Sequence, residues 1–455
     1  MAEAEPASNG QASNGQASGE PAKAEPASVL VSVTGPDRPG ISAQLFDALA
    51  SLGLPVLDVE QVQFHGRLFL CVEVGADGAD SGDAGDLGDE GERGGSAELE
   101  ALVLRVRGVL GASLGEDAAG ADGLQVSVGP LHAPAAVPHG ARHLVTVLAP
   151  DLGAAAMAGM FSHVAAAGGN VERIERLASY PVTSYQLEVT GADPVDLRRL
   201  LAGEAARLEV DVAVQQAGLH RRAKHLIVLD ADSTLLRGEV IDLLAARVGC
   251  AEEVAAVTSA AMAGELDFAE SLERRLSLLE GTDERELLAL REDLVLAPGA
   301  RTLVRTLRRL GYVTAVVSGG FVQVIEPLAA ELGIDYVAAN RLEVVDGRLT
   351  GRLVGPLVDR PGKAAALRRF ADLAGVPLAQ TVAVGDGAND LDMLATAGLG
   401  VAFNAKPVVR DAADAALNVP YLDAILFVLG ISREEIEAAD RIQAGPPPPA
   451  GVPAS

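Results

Sequence analysis

Three short apolar runs, Leu226-Ile-Val-Leu229, Thr314-Ala-Val-Val317 and Thr381-Val-Ala-Val384, each stop at residues suited to chemistry rather than packing. A run without polar alternation predicts a strand buried on both faces, and such strands belong to parallel sheets covered by helices. The turns that follow would then share the carboxyl edge of one sheet, where open α/β folds bind ligands. The first is Asp230-Ala-Asp232-Ser233-Thr234, the second Ser318-Gly319-Gly320, the third Gly385-Asp386-Gly-Ala-Asn389-Asp390. Each alone reads equally as an ordinary turn, since Asp, Ser, Asn and Gly all favour turns. Their joint occurrence, in order, describes a site.

Asp230 and Asp232, one residue apart, repel each other unless a cation or a shared proton intervenes. The Ser-Gly-Gly turn can aim backbone N–H groups at an anion. Lys363 lies between the second and third motifs, in Arg360-Pro-Gly-Lys-Ala364. The chain relies on arginine for positive charge, and its only lysines are Lys23, Lys224, Lys363 and Lys406. A compact ammonium at 363 therefore suits a phosphate, where arginine is not an equivalent substitute. No histidine lies beyond His225, so a catalytic C-terminal half works without imidazole. Cys71 and Cys250, the only cysteines, exclude a disulfide framework and a cysteine-rich zinc site. Carboxylates, one lysine and hydroxyls remain, a set that suits Mg²⁺ and phosphoryl transfer through an aspartyl nucleophile.

These motifs, taken with Glu239 and the helical stretch Ala261-Met262 to Arg275, resemble those of the phosphoserine phosphatases of the haloacid dehalogenase (HAD) superfamily. The resemblance covers about residues 225 to 435, with departures at Ala231 and at Arg237-Gly238. It implies a Rossmann-like HAD core with a small helical cap, Mg²⁺, and the substrate O-phospho-L-serine. Asp230 would be the nucleophile and Asp232 the general acid and base. Metal ligands would be Asp230, Asp386 and the Asp232 backbone carbonyl. Lys363 and Ser318, with Gly319, would hold the phosphoryl oxygens; Asn389 would position substrate and Asp390 would brace the metal or the lysine. Glu239 and Arg275 would take the ammonium and carboxylate of the amino acid, beneath Met262 and Phe268 of the cap.

The N-terminal half predicts two successive βαββαβ units, a ferredoxin-like order. Expected elements of the first are Val29 to Val33, Gly40 to Ser51, Val56 to Phe64, Leu68 to Val74 and a helix near Leu99 to Val109. Those of the second are Leu144 to Leu148, Ala154 to Ala167, Asn170 to Ser179, Ser184 to Thr190, Pro194 to Leu208 and Val210 to Val214. The first resembles an ACT domain, with Gly-Pro-Asp37-Arg38-Pro-Gly40-Ile in its ligand loop; the second keeps only Pro150-Asp151-Leu-Gly153 there. That resemblance implies an amino-acid effector such as L-serine, bound by Asp37, Arg38 and Gly40, and a homodimer. Residues 1–27 and 439–455 read as disordered tails, and 75–98 as a mobile acidic insertion. The expected domains are thus 28–135, 140–218 and 225–438, the last with a cap at about 238–298.

A formal charge of −27 argues against nucleic-acid or anionic-membrane partners. No apolar stretch reaches the length of a membrane span and no signal peptide is visible, so a cytoplasmic enzyme is expected. Two other readings stay open: a phosphatase or phosphotransferase with another phospho-amino acid or small phosphate ester as substrate, and a catalytically silent amino-acid sensor.

Overall fold

The computed structural model describes residues 28–75, 91–114, 123–131, 141–218, 221, 223–262, 265–266 and 268–444. The expected tail 1–27, the centre of the acidic insertion (76–90) and residues 445–455 lie outside the described residues. The chain falls into two compact units, Met1–Ala136 and Val137–Ser455.

The first unit runs β1 (Ser28–Pro36), α1 (Ile41–Ser51), β2 (Val56–Phe64), β3 (Arg67–Gly75), α2 (Gly91–Leu114) and β4 (Gln125–Leu131). Its antiparallel sheet has the order β2-β3-β1-β4. Alternate residues Val29, Val31 and Val33 of β1 and Leu68, Leu70 and Val72 of β3 face one core with Leu45 and Leu49 of α1 and Val106 and Leu110 of α2. The period of two is what a half-buried strand demands. One expectation needs correction: the C-terminal part of the segment read as a mobile insertion is helical from Gly91 onward. Once Leu102, Val106 and Leu110 fix the helix, adding turns at its N-terminus needs no new nucleus.

The second unit begins with another βαββαβ set: β5 (His143–Ala149), α3 (Ala154–Ala166), β6 (Asn170–Ala178), β7 (Thr183–Thr190), α4 (Pro194–Leu208) and β8 (Asp211–Gln216). Asp193 caps α4, accepting from the Val195 and Asp196 amides ahead of Pro194 at the first turn, a strong start signal. The α/β body follows with β9 (Leu226–Asp230), cap helices α5 (Val240–Val248), α6 (Ala251–Met262), α7 (Phe268–Ser277) and α8 (Glu284–Ala289), then α9 (Ala300–Arg309). Next come β10 (Val313–Phe321), α10 (Val322–Leu332), β11 (Tyr336–Val345), β12 (Arg348–Val354), α11 (Arg360–Ala374), β13 (Thr381–Gly385) and α12 (Leu391–Thr396). The chain closes with β14 (Gly400–Phe403), α13 (Pro407–Arg410), β15 (Ala415–Leu417), α14 (Ile425–Val428) and α15 (Arg433–Ala444).

One sheet of eleven strands crosses this whole unit, in the order β12-β11-β10-β9-β13-β14-β15-β8-β5-β7-β6. Strands β11, β10, β9, β13, β14 and β15 are parallel, and β15 meets β8 antiparallel at Ala415–Ala213 and Ala416–Val212. In β9, Ile227 and Leu229 enter one core with Leu303, Ile325 and Phe427, while Leu226 and Val228 enter another with Leu367, Phe370 and Met393. Each such residue contributes about 1.5–3 kcal/mol by burial, so the strand that ends in Asp230 is fixed from both sides.

The second ferredoxin-like module is fused to the body. Its helices cover one sheet face through Met160, Val164, Leu197 and Leu201. Leu148, Leu177, Val182 and Ala213 belong instead to the core that holds Leu426, Phe427 and Ile436. The Asp211 carboxylate, buried, accepts from the Asn418 amide (2.6 Å), the Asn418 side chain (2.7 Å) and the Val419 amide (3.1 Å). Gln215 adds a 2.7 Å bond to the Val428 carbonyl. The body also extends beyond the expected limit of 438, because α15 continues to Ala444. Ser432 and Glu435 form a reciprocal cap at its start, a Ser-x-x-Glu signal present in the sequence. Among the described residues no helix is long and apolar enough to cross a membrane.

Candidate active site

Asp230 is the last residue of β9, and the chain then turns sharply, with Asp232 extended and Ser233 in the left-handed region at φ 58°. This turn separates the two carboxyls. Asp232 faces the start of the cap, its Oδ1 accepting from the Val240 amide (2.9 Å) and its Oδ2 from the Ser318 hydroxyl (2.9 Å). Ser318 in turn accepts from the Gly320 amide at 2.8 Å. A Cβ on Gly320 would stand 3.0 Å from both Asp232 Oδ2 and Ser318 Oγ, so a glycine there permits the close approach. Ser318, expected to hold phosphoryl oxygens, donates its hydroxyl to Asp232 in this structure.

Asp230 points the other way. Lys363 donates from its buried Nζ to Asp230 Oδ1 (2.6 Å) and to Asp390 Oδ1 (2.7 Å). Asp390 Oδ2 accepts from the Gly387 amide (3.0 Å), which folds the third turn back on itself. Gly385 makes room for this, since a Cβ there would run into the Asp390 side chain. Asp386 accepts from the Thr234 hydroxyl at 3.1 Å. Carboxylate oxygens of Asp230, Asp386 and Asp390 lie within 4.8 Å of one another. The Asp232 side chain is outside that group.

Electrostatics follow from this crowding. Burial raises the Asp230 pKa well above the usual carboxylate range, and Asp390 and Asp232 add to it against the pull of Lys363. Burial also raises Asp232, against the hydrogen bond from the Val240 amide. Asp386 is pushed up to about 6, by burial and then by Asp390, with Thr234 and Lys363 opposing. Burial would depress Lys363, but Asp230 and Asp390 outweigh it and hold its pKa raised, so the ammonium stays charged. Three hard oxygen donors that repel one another fit a divalent cation, whose charge favours their ionised forms.

A cavity of ≈450 Å³ opens over these residues. Asp230, Asp232, Asp386, Gly319 and Asn389 line its floor side, and Glu239 and Arg275 line it from the cap segment. Lys363 and Ser318 stand behind the lining, both buried. Glu239 keeps an exposed surface but lines this cavity, where desolvation by the surrounding walls, then Asp232, Asp242 and Asp386, raise its pKa to about 7 against the pull of Arg275. Met262 ends α6 and Phe268 opens α7, but their side chains lie outside the described residues. The cap leaves and rejoins the body through a paired seam, with Arg237 donating to the Val295 carbonyl and Ala297 to that of Leu235, at 2.8 and 2.9 Å.

Sequence reasoning missed several contributors. Lys406, Asp242, Thr258 and Ser271 also line the cavity. Buried Asn340, at the end of an apolar β11 run, donates to the Gly319 carbonyl (2.9 Å) and accepts from the Val358 amide (2.8 Å). It ties the Ser318-Gly319 turn to the segment leading to Lys363. A buried asparagine after Tyr336-Val-Ala-Ala was the available signal. A second cavity of ≈490 Å³ is lined by Arg301, Arg305, Arg308 and Arg309. Three of its arginines are in ion pairs: Arg301 with Glu331, which also lines the cavity, and Arg305 and Arg309 with Asp440.

In the first unit, Asp37, Arg38 and Gly40 lie exposed on the β1–α1 connection. The Asp37 amide donates to the Gly66 carbonyl at 2.8 Å, and Gly40 adopts φ 97° at the start of α1.

Comparison with known proteins gives concordant matches. A family model described as haloacid dehalogenase-like hydrolase matches residues 227–395, and two ACT domain models match 27–86 and 141–215. Phosphoserine phosphatase of Streptomyces coelicolor is 51% identical over 91% of this chain and 95% of its own. Phosphoserine phosphatase SerB2 of Mycobacterium tuberculosis is 49% identical over 91% and 95%. The unliganded crystal structure of a probable phosphoserine phosphatase from Vibrio cholerae is 35% identical, with a TM-score of 0.51, covering 65% of this chain and 88% of its own.

Proposed function

Because this chain belongs to the phosphoserine phosphatases of the haloacid dehalogenase-like family, with two ACT domains, we propose that it hydrolyses O-phospho-L-serine in two steps on Asp230. The Asp230 carboxylate attacks phosphorus, and Asp232 gives its proton to the departing serine oxygen. Asp232, now ionised, takes a proton from water as the hydroxyl attacks the phosphoryl group, freeing phosphate and restoring both side chains. The observation that carries this reading is the opposite anchoring of the two aspartates: Asp230 to Lys363, Asp232 to Ser318 and the Val240 amide. One carboxyl stays beside a fixed ammonium, which favours the ionised form a nucleophile needs, while the other is held toward the cap, placed to pass a proton.

Mg²⁺ is the proposed metal, held by Asp230, Asp386 and the Asp232 carbonyl, with charge that offsets repulsion between nucleophile and phosphate. Asp390, with one oxygen on Lys363 and the other on the Gly387 amide, braces the lysine. In the specificity pocket, Glu239 takes the substrate ammonium and Arg275 its carboxylate, a pairing a sugar phosphate lacks. The direct test is Mg²⁺-dependent phosphate release from O-phospho-L-serine beside phosphothreonine and a sugar phosphate. Strong preference for phosphoserine supports the pocket; equal rates on all three remove Glu239 and Arg275 from it.

Glu239 also sets a pH dependence. With its pKa at about 7, it is ionised above that value and neutral below. kcat/KM for phosphoserine should therefore fall as pH drops through about 7, and Glu239→Gln should lose that acidic limb. A limb that persists in the variant belongs to another group.

Regulation and assembly complete the proposal. The first ACT domain binds an amino acid such as L-serine at Asp37, Arg38 and Gly40, and the cytoplasmic enzyme works as a homodimer. Self-pairing at the β6 edge supports a dimer: Glu172-Arg173-Ile174-Glu175-Arg176, run antiparallel about Ile174, sets each Glu opposite an Arg of the second copy. Sedimentation showing only monomer would remove it, and calorimetry with L-serine tests the effector.

A further inference from the structure

The cavity lining is electrostatically lopsided. Asp230, Asp232, Glu239, Asp242 and Asp386 face it, against the cationic side chains of Arg275 and Lys406. A phosphate ester entering this mouth is repelled by those carboxylates and by a chain of formal charge −27. Lys363 offers little at the entrance, because its side chain is 1% exposed and its bonds go to Asp230 and Asp390. Arg275 sits on the cap, its Nε–H directed to the Ser271 carbonyl at 3.4 Å.

Lys406 is placed differently. It lies between β14 and α13, and its backbone amide donates to the Asp386 carbonyl at 3.4 Å. The Asn404 amide donates to the Leu417 carbonyl at 2.7 Å, and Pro407 opens α13 immediately afterwards. The backbone is thereby held beside the Asp386–Asn389 turn, while the side chain is exposed and in no ion pair among the described residues. Lys224 shows the contrast, buried with its Nζ on the Ala379 carbonyl at 2.6 Å. A flexible stem carrying a compact, strongly hydrated charge suits capture of a dianion and its release.

The geometry points to Lys406 as the residue that receives the phosphate pole of the incoming ester at the cavity mouth and steers it to the Asp386–Asn389 turn. It acts on encounter and binding, not on the breaking bond. This rests on the phosphatase reading and adds a substrate-recruiting residue to it. The alternative is a solvated lysine with no part in binding.

The test measures kcat and KM for phosphoserine and phenyl phosphate across a NaCl series, in the unaltered enzyme, Lys406→Met and Lys406→Arg. Calorimetric binding of inorganic phosphate runs alongside. Lys406→Met should lower kcat/KM about ten-fold at low salt for both esters and weaken phosphate binding similarly, as loss of a focusing charge does. Its salt dependence should flatten, kcat should change by less than about two-fold, and Lys406→Arg should recover most of the loss. Unaltered kcat/KM, phosphate affinity and salt slope in Lys406→Met overturn the inference, and so does a loss confined to kcat. A deficit seen only with phosphoserine moves Lys406 to the substrate carboxylate and equally overturns it. The inorganic phosphate arm reads Lys406 even if phosphoserine proves not to be the substrate, so the two readings fail separately.

Discussion

Asp230→Asn abolishes turnover: kcat falls by on the order of 10⁴ or more, the usual scale for loss of a covalent nucleophile. The amide keeps the shape of the carboxyl but cannot form the acyl phosphate. The fold should survive the change. Lys363 keeps its 2.7 Å bond to Asp390, and the charge removed is one that burial, Asp390 and Asp232 already disfavour. The melting temperature of the second unit should therefore hold or rise, which separates loss of chemistry from loss of structure. Activity within ten-fold of the unaltered enzyme would place the nucleophile elsewhere.

Lys363→Met should cost both activity and stability. Asp230 and Asp390 are 4% and 0% exposed in their side chains and share this one ammonium. Removing one partner of a buried ion cluster leaves uncompensated charge and typically costs about 3–5 kcal/mol. The sign of its pH dependence follows. The stranded carboxyls, raised by burial, are neutral at low pH and charged at high pH. The variant's deficit should thus shrink on acidification and grow as pH rises. Denaturant unfolding at several pH values measures it, and a loss below about 1 kcal/mol at neutral pH would mean that the cluster is not held by Lys363. Lys363→Arg should restore charge but little activity, since a planar fork does not replace a point donor between two carboxylates.

What could be read in the sequence was the chemistry at the ends of strands. Asp230, Asp232, Ser318 and Asp386 follow apolar runs whose burial on both faces is written in their composition, so their shared edge was legible. Partners were less so. That Ser318 donates to Asp232 depends on the left-handed turn at Ser233, which residue preferences do not announce. Asn340 and Lys406 were missed because each acts across a loop from another part of the chain. The Ser432–Glu435 cap marks the start of α15 in the sequence but not its end, which lies six residues past the expected limit of 438. The helix over Gly91 to Glu98 was hidden by its glycines, whose low propensity the packed turns beyond them override. Pairing of β8 with β15 had no local signal at all, since Asp211 and Asn418 come together only through tertiary folding.

That pairing bears on how the protein can be cut. β15 has three residues, and its far side is occupied by β8. A fragment excised near residue 225 would expose its unsatisfied amides and carbonyls, the template on which unrelated chains add strands. It would also uncover apolar surface now shared by Ala213 and Leu148 with Phe427, and strip Asn418 and Val419 of the carboxylate that orders them. The second ACT domain is therefore also the solubilising border of the catalytic body. Severing it leaves an aggregation edge, whereas a cut within 132–140, between the two units, leaves the eleven strands intact.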